Sequence, residues 1–70
     1  MSRYLIVIEN AGSNYSAYSP DLPGCAGTGA TIDETKENMA GAIEFHIEGL
    51  REEGLPIPKP STVAEYVEIP

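Results

Sequence analysis

Between Thr31 and Gly54 the chain is punctuated as one uninterrupted helix, and every other segment has to fold around that rod. Thr31 and Glu34 fit a capping box, in which the threonine oxygen accepts from a free first-turn amide while the glutamate reaches back to the cap's own amide. The helix is expected from Ile32 to about Glu53, stopped at Gly54, with Pro56 and Pro58 preventing continuation. At ~100° per residue Ile32, Met39, Ile43, His46, Ile47 and Leu50 share one stripe, with Ala42 at its edge, and that stripe is the expected core face. Glu34, Glu37, Glu44, Glu48 and Glu52 gather on the opposite, wet side.

The residues before the helix read as a small sheet. Arg3 to Glu9, RYLIVIE, is apolar at successive positions and suits a central strand buried on both faces. Asn10 to Asn14 are turn formers, and Tyr15 to Ser19, YSAYS, complete a hairpin. Pro20 to Gly24, PDLPG, must be a loop, because its prolines cannot donate to a ladder. A short third strand from Cys25 to about Ala30 follows, weakened by Gly27 and Gly29. After the helix, Leu55 to Pro60 is a stiff connector, and Thr62 to Ile69 is a final strand with Val63, Val67 and Ile69 on one side. The expected fold class is α+β: a two-layer β-β-β-α-β unit, mainly antiparallel, with one long helix covering one sheet face and the last strand beside the first. The other face is left open, and Tyr4 or Leu5, Tyr15 or Tyr18, and Tyr66 are candidates for it.

Seventy residues allow one core and one domain, here residues 1–70. Area burial at roughly 25 cal/mol per Å², set against roughly 1.5 kcal/mol per ordered residue, brings such a domain near zero stability. The single Cys25 cannot close an internal disulfide, and His46 beside it falls short of a structural zinc set, so self-association into a dimer or tetramer is the expected aid. A formal net charge of −7 argues against direct nucleic-acid binding and favours a basic partner. No segment approaches the ~20 apolar residues of a membrane span, and MSRYLIVIEN lacks the plan of a signal peptide, so the cytosol is the expected compartment.

No catalytic constellation is legible, and neither a catalytic residue, a metal nor a cofactor is expected. His46 lies on the apolar stripe and is read as a packed histidine, hydrogen-bonded at the core edge. Cys25 follows a Pro-Gly turn without a basic neighbour and is read as an inert small residue. Gly24, Gly27 and Gly29 imitate a phosphate loop only superficially, since no lysine follows. Glu9, Asp21 and Asp33 could be imagined as a metal-binding set, but Asp21 sits in a loop and Asp33 in a first helical turn, where an acid suits the dipole. Two helix features exceed solvated decoration. Phe45 lies off the core stripe with Gly41 and Gly49 four residues either side of it, a bare aromatic where another backbone can approach. Glu44, Glu48 and Glu52 form a ladder of like charges that a basic surface would relieve.

The run YSPDLPGCAGTGAT followed by DETKENMAGAIEFHIEGLREEGLPIPKP resembles the HicB-like antitoxin family over nearly the whole chain. The shared features are an aromatic strand, a P-D-x-P-G loop, a strand ending in G-x-T, an E-rich helix and a proline-spaced exit. They are carried here by Tyr18, Pro20, Asp21, Pro23, Gly24, Gly29, Thr31, Glu34, Glu48, Leu50, Gly54, Pro56 and Pro58. The resemblance implies a partial ribonuclease H-like domain without nuclease activity, and a HicA-like toxin, a small basic ribonuclease, as partner. Fuller members carry a C-terminal DNA-binding domain; none is expected here, and operon autoregulation by this chain is not expected either. Tyr18, Asp21, Leu22, Gly41, Glu44, Phe45, Glu48, Gly49 and Tyr66 are the candidate partner or oligomer surface. The competing readings are an orphan ribonuclease H-like, metal-dependent nuclease and a self-assembling structural domain with no toxin.

Overall fold

The computed structural model describes residues 2–70. Three strands, β1 (Val7–Asn10), β2 (Tyr15–Tyr18) and β3 (Ala26–Gly29), form an antiparallel sheet in the order β1-β2-β3, and one helix, α1 (Ile32–Glu52), follows. The hairpin between β1 and β2 closes where Ala11 N donates to Asn14 O (2.8 Å) and Gly12 N to the Asn10 side chain (2.9 Å). The PDLPG loop is two successive turns, with Leu22 N donating to Ser19 O and Cys25 N to Leu22 O, which turns Leu22 inward.

Register assigns the two faces. Ile8 stands opposite Ala17, which stands opposite Gly27, and this row lies under the helix; Val7, Tyr18 and Ala26 form the corresponding row on the other face. The core is small: Ala17, Leu22, Cys25 and Met39, with Tyr4, Ile6, Ile8, Ala42 and Ile43 packed around it. The helix sits over β3 and β2, and glycines on β3 let it come close, Gly27 under Met39 and Gly29 under Thr35. Asn38 also reaches across to the carbonyl of Thr28 on β3 (2.7 Å).

Both helix ends are built as anticipated, with one change. Thr31 Oγ1 accepts from Glu34 N (3.1 Å), but the Glu34 carboxylate takes the amide of Ala30 (3.0 Å) rather than the cap's own. At the far end Gly54 has φ +69°, Gly54 N donates to Arg51 O and Leu55 N to Leu50 O, the paired bonds of a Schellman motif. The stripe is also edited. Thr35 is fully buried beside Met39, its hydroxyl donating to Thr31 O (2.7 Å), whereas Ile32 is exposed.

The α+β class and the one-sided helix cover are as expected, but two strand assignments are not. The first strand is an edge strand, not a central one, because β2 alone pairs with it among the described residues. Its regular part is confined to Val7–Asn10; the residues before it are extended and half-buried, and Leu5 O accepts from the buried Ser19 hydroxyl (3.0 Å). Thr62 to Ile69 forms no strand: it has no ladder partner among the described residues and is exposed throughout. A strand sequence alone does not make a strand, since the backbone needs a ladder partner.

Candidate partner-binding surface

An exposed flank of α1 carries the ridge singled out above. Phe45 is 82% exposed, and Gly41, Glu44, Glu48 and Gly49 are exposed with it. No heavy atom lies within 4 Å of where a Cβ would stand on Gly41 or Gly49, so both positions are open to an incoming backbone. Gly41, Glu44, Phe45 and Glu48 line one open groove, together with Tyr4, Arg51 and Ile57. Gly49 is not among the lining residues. Arg51 and Ile57 are not among the sequence candidates, and Tyr4 is a candidate there only for the open sheet face, not for this groove. Arg51 was legible as the residue one turn after Glu48, but Tyr4 and Ile57 meet only in space, where the tyrosine hydroxyl donates to Pro58 O (2.6 Å) and straps the connector against the N-terminal segment.

The remaining candidates separate. Tyr18 is 45% exposed in the middle of the open sheet face, flanked by Val7 and Ala26. Of the alternatives offered for that face, Leu5 and Tyr18 belong to it, while Tyr4 packs toward the core and Tyr15 lies on the helix side opposite Gly29. Tyr66 is fully exposed in the tail and not on the sheet. Leu22 is a correction: it is completely buried and supports the loop from within, so no partner can touch it.

Asp21 is a latch. Its Oδ1 accepts from the hydroxyls of Ser61 (3.1 Å) and Thr62 (2.7 Å), and its Oδ2 from the amides of both (3.2 Å each). The Thr62 hydroxyl is the largest cause holding its carboxyl below the ordinary value, with the amides and Ser61 helping. Glu9 and Asp33 are exposed on β1 and in the first helical turn, and among the described residues no group of three or more His, Cys, Asp or Glu comes together. His46 is half-buried on α1 and has no side-chain hydrogen bond among the described residues, so its expected bond is absent. Cys25 is buried in the core, and desolvation pushes its thiol up.

The chain is a two-layer α+β unit with a small buried core and an exposed ridge on its single helix. Residues 4–70 match the family described as the HicB-like antitoxin of bacterial toxin–antitoxin systems, and the chain belongs to that family. It is 39% identical over 67 residues to a 14.9 kDa protein of the rep-hol intergenic region of Haemophilus phage HP1, covering 96% of this chain and 50% of the phage protein. It is 34% identical over 67 residues to a UPF0150 protein of Synechocystis sp., covering 94% of this chain and 85% of that one. The chain thus spans about half the length of the phage relative and most of the cyanobacterial one. Among solved structures, a chain of the HicA3 and HicB3 toxin–antitoxin complex superposes with a TM-score of 0.74 at 35% identity, over 86% of this chain and 70% of the other. No helix among the described residues is long and apolar enough to cross a membrane.

Proposed function

We propose that this protein is an antitoxin that neutralises a small basic HicA-type, mRNA-cleaving toxin by covering its RNA-binding and active surface, contributing no chemistry of its own. The observation that carries the reading is the exposed ridge of α1, where Phe45 stands between two side-chain-free positions and beside Glu44 and Glu48. An aromatic anchor with open space on either side can enter a pocket, and carboxylates next to it suit a cationic surface. The net charge of −7 extends the same complementarity to the encounter between the two proteins. Family membership and the likeness to a chain of the HicA3–HicB3 complex support the choice of partner.

The test is a calorimetric titration with a HicA-type toxin, repeated as salt rises from about 50 to about 500 mM, alongside an RNA-cleavage assay. Affinity is expected to fall by roughly tenfold or more across that range, and stoichiometric antitoxin to stop cleavage. Binding unaffected by salt removes the electrostatic half of the mechanism; cleavage undiminished at saturation removes the neutralising half.

A further inference from the structure

We propose that residues 63–69 are a β-strand in waiting that adds to the outer edge of β1 in a second copy of this chain, so that two copies exchange tails reciprocally. Four observations converge on this. The segment VAEYVEI is built of strand formers, yet Val63, Tyr66, Val67 and Ile69 are 76%, 104%, 78% and 81% exposed. An apolar strand sequence held this far into water has its partner elsewhere.

The second observation is the vacant edge. The order β1-β2-β3 leaves two outer edges, and α1 reaches one of them through Asn38 bonded to Thr28 O. The outer edge of β1 has no ladder partner among the described residues, and the run Tyr4 to Ile8 contains no lysine, proline or bulge of the kind that guards an edge.

Third, the connector brings the tail to the correct end of that edge. Tyr4 holds Pro58, and Thr62 lies beside Arg3 to Ile6 at the entrance to β1. Fourth, the Asp21 latch grips both Ser61 and Thr62 there, and the chain continues outward instead of folding back. The molecule is accordingly drawn out to 47 × 28 × 20 Å, with a radius of gyration of 13.5 Å where a compact chain of this length has about 11 Å. Seven residues extended at ~3.3 Å each span about 23 Å, sufficient to cover β1 and the residues leading into it. Alternation then sets Val63, Val67 and Ile69 beside Ile6 and Ile8 and brings Tyr66 into the Val7–Tyr18 row of the open face. Each copy offers the same edge and the same tail, so when a twofold axis relates two copies both exchanges are made at once and the assembly closes at two.

The test is sedimentation equilibrium on the full chain at about 100 µM, with Val67→Pro as the variant, since proline deletes a ladder donor in a segment that packs against nothing within one copy. The wild type is expected to sediment as a dimer, and the variant to weaken association at least ~tenfold while its helical circular dichroism is unchanged. A mixture of isotope-labelled and unlabelled protein should show nuclear Overhauser contacts between the tail of one copy and β1 of the other. A monomeric wild type, an equally associated variant, or tail contacts confined to a single copy would each overturn the proposal. Toxin binding is read separately, so failure here leaves the antitoxin reading standing.

Discussion

Gly29 and Thr35 meet almost backbone to backbone: a Cβ on Gly29 would stand 2.5 Å from Thr35 Oγ1 and 2.6 Å from Thr35 N. The hydroxyl in that contact is already committed to Thr31 O, so it has no alternative position that keeps the bond. Adding a methyl group must therefore push the first turn of α1 off β3. Gly29→Ala is expected to cost about 1–3 kcal/mol in urea unfolding, the usual penalty for overpacking. Stability equal to wild type would mean that the turn is not held where it is described.

Gly41 is the contrasting glycine, on the same helix but with open space where its Cβ would be. Gly41→Ala should raise stability by about 0.5–1 kcal/mol through helix propensity. If the ridge beside Phe45 is where a partner backbone lies, the same change should weaken toxin binding. Opposite signs in the melting and binding measurements would separate surface from scaffold.

Phe45→Ala tests the anchor directly. A side chain 82% exposed contributes little to folding, so the melting temperature should scarcely move. Loss of at least ~1 kcal/mol of toxin affinity by calorimetry is expected of an aromatic that fills a pocket. Met39→Ala makes the reverse case: fully buried against Gly27, it should lose about 2–5 kcal/mol of stability.

The latch predicts a response to acid. Asp21 is depressed below its ordinary value chiefly by the Thr62 hydroxyl, so its contribution is present above the unfolded carboxyl value near ~3.9 and is lost as pH falls through the lower folded value. The amide resonances of Ser61 and Thr62 should shift together in that acid range, and Asp21→Asn should abolish the shift. Movement of the two amides at neutral pH instead would assign their titration to another group.

Cys25 offers a chemical check on the core. Burial both covers the sulfur and disfavours its thiolate, so a thiol reagent should modify the native protein far more slowly than the protein in denaturant. Equal rates would show that the PDLPG loop opens freely.

The helix was legible because its signals are local: Thr31 and Glu34 mark one end, Gly54 and the prolines the other, and the part of the stripe through Met39, Ala42 and Ile43 packs on the core. What was lost depended on neighbours distant in sequence. Thr35 looks polar and is buried because Gly29 across the gap makes room for it, whereas Ile32 looks apolar and is half-exposed as the first residue of the helix. The glycines of β3 read as weak strand formers, although close approach is their purpose. Leu22, a candidate surface residue by sequence, is folded into the core by two turns that bond residues near it in the chain. For the tail, composition announces a strand, and composition is silent about which molecule supplies the other half of the ladder.

The contacts among the four elements join β1 to β2, β2 to β3, and α1 to the two strands that precede it most closely. Each step of assembly thus closes a short loop, which favours rapid folding. The sheet and helix can therefore form before the Asp21 latch closes on Ser61 and Thr62. Residues 63–69 stay in solvent on that finished scaffold, so if they exchange between copies, folding precedes association and only the second step depends on protein concentration.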